Sequence, residues 1–225
     1  MFEDRLSYEE SQSRAAVVPG REVPGEDLGR IISLSDGVFA FALTLLVLGL
    51  TVPSVSGATD QQTSQQLWHA LQGDWPKFLG YVFAFAMIAI WWMNHHRTFR
   101  YIERYDIVLM WLNMLVLLEI AVMPFVLQVY AAYSPTQTAV VLFASMQVIT
   151  GGTLNVLWRY AAGGHRLVNP KLPIDEIRYV ANRGLLPAVA FAASIGISFF
   201  SVSFAEYSWF VPIILVRFAR RYGGW

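Results

Sequence analysis

Two carboxylates interrupt stretches of sequence that are otherwise apolar. Asp36 lies within residues 31–52 and Glu119 within residues 107–130. A charged group inside an apolar helix is costly, so it is normally paired with a polar partner and linked to function. We expect Asp36 to be hydrogen-bonded, either as a structural link between helices or as part of a gating mechanism. Its candidate partners are Arg30 and the groups at the end of the next apolar run: Trp91, Trp92, Asn94, His95, His96 and Arg97.

Motifs for enzymatic chemistry are missing from the sequence. The four histidines lack the spacing of metal ligands, since the adjacent His95 and His96 would point about 100° apart on a helix. No Gly-x-Ser-x-Gly, His-Glu-x-x-His or phosphate-binding glycine loop is present. We therefore expect neither an enzyme nor a bound cofactor.

The composition indicates a membrane protein. Of 225 residues, 56% are hydrophobic and only 14% are charged, whereas soluble domains carry about 25% charged residues. The 16 basic residues balance 16 acidic residues, so the formal net charge is zero and no basic field favours nucleic acid. The absence of cysteine excludes disulfides and thiol catalysis.

Six apolar runs predict an all-α membrane protein with six transmembrane helices, since a helix of roughly 20 apolar residues crosses a bilayer. The sixth run is the shortest, and five spans with a surface helix is the alternative. Residues 1–29 are predicted to form a flexible tail, residues 30–221 a six-helix transmembrane domain, and residues 222–225 a short C-terminal segment. The predicted spans are 31–52, 75–96, 107–130, 138–158, 184–204 and 207–219.

The basic residues predict the orientation of these spans. Fifteen of the 16 lie in the segments before the first span, between the second and third, between the fourth and fifth, and after the last, and only Lys77 lies on the other side. Cytoplasmic loops are enriched in Lys and Arg, so both termini are predicted to be cytoplasmic. Both termini on one side require an even number of spans, which favours six.

One face of the first predicted span is large and apolar. At 100° per residue, one stripe of side chains lies within about 40° of its mean direction, while Thr44 lies about 60° from Phe41 and Asp36 points about 140° away from Phe41. Ordinary helix packing would explain such a stripe, so periodicity alone does not assign it a function. The stripe contains Arg30, Leu34, Gly37, Phe41, Leu45, Leu48 and Val52.

The same helix resembles a known channel family. Arg30, the segment Ser35-Asp36-Gly37-Val38-Phe39-Ala40 and the segment Thr44-Leu45-Leu46-Val47-Leu48 are similar to the first-helix signature of the transmembrane protein 175 potassium channels. That signature usually reads Arg-x-x-x-Phe-Ser-Asp before an aliphatic run. The segment Trp92-Met93-Asn94-His95-His96-Arg97-Thr98-Phe99, Asn113 and Pro124-Phe125 resemble the family's second and third helices. The resemblance covers roughly residues 30–220.

The resemblance implies a function and a set of site residues. Single-repeat members of this family are prokaryotic, so it implies a homotetrameric, potassium-selective or potassium-preferring channel in the plasma membrane, with potassium ions, lipid and copies of the chain as its partners. Its pore would be lined by the first helix, without a re-entrant loop, and would bind metal only as transient potassium. The implied constriction consists of Phe41, Thr44, Leu45 and Leu48, and the implied structural and gating network consists of Arg30, Ser35, Asp36, Trp92, Asn94, His95 and His96.

The sequence departs from the family pattern at two positions. Leu34 stands where the motif usually has Phe, and Phe41 stands where a constriction residue is usually Ile or Leu. A different function also remains open, because an intramembrane carboxylate can carry a proton and histidine can relay it. The alternative is therefore a proton-coupled secondary transporter that uses Glu119 with His95 or His96.

Overall fold

The computed structural model describes residues 26–209, and within them the chain is helical. Among these residues the only β-type pairing is an isolated bridge between Ile102 and Val168. The α-helices, numbered in chain order, are α1 (Glu26–Leu45), α2 (Asp60–Gly73), α3 (Trp75–Phe99), α4 (Ile107–Tyr133), α5 (Gln137–Ala162), α6 (Ile174–Ser198) and α7 (Val202–Ser208), with 3₁₀ turns at Leu46–Gly49 and Gly163–His165.

Five of these helices are long and apolar enough to cross a membrane, and they correspond to the first five predicted spans. Helix α1 begins at Glu26, inside the predicted tail, whose first 25 residues lie outside the described part. The fifth predicted span, 184–204, overlaps α6 only in part, since α6 begins at Ile174 and ends at Ser198. Most of the sixth predicted span, residues 210–219, and the predicted end 222–225 also lie outside the described residues.

The first helix ends earlier than its apolar run. Its last turn tightens into the 3₁₀ turn Leu46–Gly49, and Leu50 is already extended, with φ −90° and ψ 108°. Val52 precedes Pro53, and a proline ring disfavours helical backbone at the residue before it. The side chain of Val52 is therefore not on the helical stripe where the wheel placed it.

The core of the described structure lies where α5 packs against α4 and α6. Gly151 of α5 allows the closest approach, because a Cβ there would lie 2.9 Å from the Ala188 Cβ on α6 and 3.1 Å from Trp91 Cη2 on α3. Phe143 of α5 is also buried in this core, where it stacks on Tyr130 of α4 with ring centroids 4.9 Å apart. Helix α1 packs mainly on α4 and less extensively on α3.

Polar contacts join the ends of α3, α4, α5 and α6 at the side of the domain that carries most of the arginines, which we call the basic end. Asp106 caps α4 by accepting from the Leu109 amide at 2.9 Å, and it also accepts from the Tyr160 hydroxyl at 2.6 Å. Burial opposes ionisation of Asp106, but the bonds from Tyr160 and the backbone outweigh it and lower the pKa of this carboxyl. The Tyr101 hydroxyl donates to Glu176 at 2.8 Å, which raises the pKa of Tyr101.

Candidate functional site

Within residues 26–209, no helix covers one face of α1. Leu34, Phe41 and Leu48 expose 52%, 64% and 72% of their surface, and Thr44 is exposed beside them. Leu45 is half-buried at the edge of this face. Large apolar side chains that repeat along one helix face normally pack against another element. This exposed face of α1 contains the residues that the sequence predicted to narrow a pore.

The local geometry of α1 orients its polar and apolar groups on this face. The Thr44 hydroxyl donates to the Phe41 carbonyl oxygen at 2.8 Å, so its lone pairs remain available to a passing ligand. Residues i and i+3 eclipse each other in a 3₁₀ helix. The 3₁₀ turn Leu46–Gly49 therefore places Leu48 almost directly above Leu45 along the helix axis.

The opposite face of α1 is held inside the subunit. Phe39, Ala42 and Leu46 are almost fully buried in the core formed with α3 and α4. This division between a buried and an exposed face fixes the rotation of α1 about its own axis, because turning the helix would expose Phe39 and bury Thr44.

A chain of hydrogen bonds links α1 to α4 and α3. The Asn113 amide donates from Nδ2 to Ser35 Oγ at 3.0 Å, and Ser35 donates to the Ile31 carbonyl oxygen at 2.8 Å. Asn113 Oδ1 lies 2.8 Å from His95 Nε2, so with this amide orientation Nε2 carries the hydrogen. Ser35, Asn113 and His95 are all buried. We call this chain the Ser35–Asn113–His95 relay.

Asp36 makes a second link between α1 and α3. Trp92 Nε1 donates to Asp36 Oδ1 at 2.8 Å, and the His96 ring stacks on Trp92 with centroids 5.5 Å apart. Arg30 is exposed at the start of α1. Asn94 does not join this group, since it lines a cleft between α3, α5 and α6. The structure thus brings together most, but not all, of the predicted network.

Glu119 lies in a separate polar contact. Its Oε1 accepts from the Thr153 hydroxyl of α5 at 2.7 Å, while its Oε2 has no hydrogen-bond partner among residues 26–209. Within that range no hydrogen bond connects Glu119 to His95, which bonds to Asn113, or to His96, which is exposed. Glu119 and the histidines that were predicted to relay its proton therefore lie in separate groups of contacts.

Two polar residues that contribute to these contacts were not predicted as site residues. Asn113 joins α1 and α3, and Gln147 of α5 accepts from the Trp91 indole at 2.6 Å. Each is an amide in an otherwise apolar stretch, and this is the sequence signal that could have identified it. Within residues 26–209 no group of three or more His, Asp or Glu side chains is placed to hold a metal ion.

A helical domain with five helices long and apolar enough to cross a membrane, joined by buried polar links, defines the class of multi-pass membrane proteins. Its sequence identifies the family. The family described as endosomal/lysosomal potassium channel TMEM175 matches residues 30–124. The chain belongs to this family, as a relative over most of its length establishes.

That relative is a potassium channel from Streptomyces collinus, 33% identical over 177 residues, which are 77% of this chain and 83% of the relative. The crystal structure of a lysosomal potassium-selective channel TMEM175 homolog from Chamaesiphon minutus has a TM-score of 0.68 and 29% identity, covering 87% of this chain and 97% of that chain. The human endosomal/lysosomal proton channel TMEM175 is 24% identical over 98% of this chain, which spans only 45% of the human protein.

Proposed function

We propose that this protein is a potassium channel whose pore is lined by α1, with Phe41, Thr44, Leu45 and Leu48 forming the constriction. The observation that carries the proposal is the exposed face of α1, which presents Leu34, Phe41 and Leu48 beside the Thr44 hydroxyl, while Phe39 and Ala42 on the opposite face are buried. The bacterial relative and the solved homologue, both named as potassium channels, support the choice of ion.

The subunit requires copies of itself to form such a pore. A single α1 face cannot enclose a path, so we propose a homotetramer with four α1 helices around a common axis in the plasma membrane, both termini being cytoplasmic. Rings of Phe41, Leu45 and Leu48 would narrow the path and could close it by dewetting. Four Thr44 hydroxyls would replace part of the hydration shell of a potassium ion.

The hydrogen bonds behind α1 support a gating role for the predicted network. The Ser35–Asn113–His95 relay and the bond from Trp92 to Asp36 tie the buried side of α1 to α3 and α4. A movement of α3 would therefore be passed to α1 through directional bonds as well as through apolar contacts. His96 stacks on Trp92 beside the second of these links, Arg30 is exposed near the start of α1, and Asn94 belongs to the adjoining cleft.

Ion flux into liposomes tests the proposal. The full chain is reconstituted with internal potassium, and dye-reported efflux is compared between the wild type and Phe41→Ala, Leu45→Ala and Leu48→Ala. We expect the wild type to pass potassium in preference to sodium, and Phe41→Ala to raise the flux several-fold by removing the largest of the proposed constriction side chains. The absence of potassium flux, or a flux unchanged by Phe41→Ala and Leu45→Ala, would overturn the proposal.

A matched control separates pore effects from general effects of losing an aromatic ring. Phe125 of α4 has the same 64% exposure as Phe41 but lies on a different helix. Phe125→Ala should leave the flux within about twofold of the wild type, since it removes the same side chain away from α1. An equal effect of the two variants would show that the exposed face of α1 is not the conduction path.

Proton coupling through Glu119 is the second candidate, and its unpartnered Oε2 is the observation that favours it. The name of the human relative points to the same ion. Reversal potentials distinguish the two functions, because a potassium channel follows the potassium gradient alone whereas a proton-coupled carrier shifts with pH. Glu119→Gln should abolish a pH-driven shift if Glu119 carries the coupling proton, and it should leave the reversal potential unchanged if Glu119 is purely structural.

A further inference from the structure

A second concave feature lies away from the exposed face of α1. An open cleft of about 330 Å³ is bounded by the last two turns of α3, the end of α5 and the first half of α6. It opens at the basic end of the domain, where α3 and α5 end and α6 begins. The proposed conduction path does not use this cleft.

The cleft has a strongly basic rim. Arg97 and Arg100 line it from the end of α3, and Arg183 lines it from α6. The Arg183 guanidinium donates to the Tyr179 hydroxyl at 3.3 Å, and within residues 26–209 none of the three arginines forms an ion pair with a carboxylate. The nearby Glu176 carboxylate accepts from Tyr101 instead. Three guanidinium groups thus line one opening, and no carboxylate of residues 26–209 neutralises their charge.

The rest of the lining combines apolar and polar side chains. Trp91, Trp158 and Leu154 are its apolar members, and Asn94, Thr98 and Asn155 are among its polar members. Both indole N–H groups are used elsewhere, from Trp91 to Gln147 at 2.6 Å and from Trp158 to the Ile177 carbonyl oxygen at 3.0 Å, so the rings offer mainly carbon surface to the cleft. Arginines beside such carbon surface match an amphiphile with an anionic head.

We propose that this cleft binds a phosphate group, with the three arginines as its ligands. Arginine suits this task because its planar guanidinium presents paired N–H donors that match two phosphate oxygens, and it does not lose its charge. The headgroup of an anionic phospholipid is one source of the phosphate, with its glycerol and first methylenes against Trp91 and Leu154. Free phosphate in solution is the other source.

Lipid titration of the purified full chain tests this site. The protein in neutral detergent is titrated with dioleoylphosphatidylglycerol and, separately, with dioleoylphosphatidylcholine, and bound lipid is counted by native mass spectrometry. We expect at least tenfold preference for the anionic lipid in the wild type. Each arginine at a membrane surface strengthens anionic-lipid binding about fivefold, so Arg97→Gln/Arg183→Gln should weaken it roughly 25-fold.

The control removes two positive charges from the same end of the domain without touching the cleft. Lys171 and Arg178 are exposed and do not line it, so Lys171→Gln/Arg178→Gln should change binding less than about threefold. Arg183→Lys keeps the charge but removes the paired donors, and it should lie between the wild type and Arg183→Gln. These comparisons use variants that leave Trp91, Trp158 and the rest of the lining intact.

Competition distinguishes the two sources of phosphate. Displacement of the bound lipid by millimolar inorganic phosphate would assign the site to soluble phosphate, whereas resistance to phosphate would assign it to the lipid, and both results support the arginine site. Equal binding of the neutral and anionic lipids by the wild type would overturn the proposal. An equal loss of binding in the cleft variant and in the control variant would overturn it as well.

Discussion

Replacing Asn113 tests whether the relay behind α1 holds this helix in place. Asn113→Leu keeps the approximate volume of the side chain but removes the acceptor for His95 Nε2 and the donor to Ser35 Oγ. The N–H group of His95 would lose Asn113 as its acceptor. Because His95 is buried, this loss should cost about 1–3 kcal/mol. Ser35 suffers less, because it still donates to the Ile31 carbonyl oxygen at 2.8 Å.

The expected loss in free energy of unfolding therefore differs between Ser35→Ala and Asn113→Leu. Hydrogen bonds between membrane helices contribute about 0.6 kcal/mol on average and up to about 1.7 kcal/mol. Ser35→Ala breaks one such bond and leaves the buried Asn113 Nδ2 without this acceptor, so it should lower the free energy of unfolding by about 1 kcal/mol, whereas Asn113→Leu should lower it by about 2–3 kcal/mol. In a double-mutant cycle, Ser35→Ala and Asn113→Leu should show a coupling free energy of about 0.6–1.7 kcal/mol.

Unfolding in mixed micelles, followed by tryptophan fluorescence, measures these free energies. Ser194 of α6 provides the control, since it is buried and donates to the Phe191 carbonyl oxygen at 2.7 Å within its own helix, as Ser35 does to Ile31. Ser194→Ala should show no coupling with Asn113→Leu. A coupling of zero between Ser35 and Asn113, or an equal coupling with Ser194, would refute the relay.

Three further predictions concern stability. Gly151→Ala should destabilise by about 1–3 kcal/mol through the 2.9 Å contact with Ala188, while Gly152→Ala, where a Cβ meets nothing within 4 Å, should be neutral or stabilising in thermal melts. Asp106→Ala should lower the free energy of unfolding by about 1 kcal/mol at pH 7, and because its folded pKa is lowered, this difference should vanish as the pH falls through that pKa. Tyr101→Phe should lower the free energy of unfolding below pH 10. Because the folded pKa of Tyr101 is raised, the difference between wild type and variant should disappear as the pH rises through that pKa, which fluorescence-monitored unfolding would measure.

The sequence predicts the spans well because the cost of burying charge in lipid is a local property of each stretch. The five described long helices coincide with the first five apolar runs, and the main error concerns α6. Its first turns contain Asp175, Glu176 and Arg178, which hydropathy assigns to a loop, although the helix continues through them at the basic end. The early end of α1 depends on backbone conformation before Pro53, which an ideal helical wheel does not include.

The candidate site was predictable only in part. Periodicity grouped Phe41, Leu45 and Leu48 on one stripe, and in the part of the chain that the structure describes Phe41 and Leu48 are exposed while Leu45 is half-buried. The partners of polar groups depend on which helices pack together, and this is not encoded locally. Asn113 therefore joined the network unexpectedly, while Asn94, only one residue from His95, points into the cleft between other helices.

The change of helix type at the end of α1 has a mechanical consequence for the side chains on its exposed face. A 3₁₀ helix turns by about 120° and rises about 2.0 Å per residue, against about 100° and 1.5 Å in an α-helix. Converting the turn Leu46–Gly49 to α-helix would swing Leu48 by about 60° relative to Leu45 and draw it in by about 1.5 Å. The angular position of Leu48 is therefore set by four residues of backbone, independently of how the rest of α1 is held.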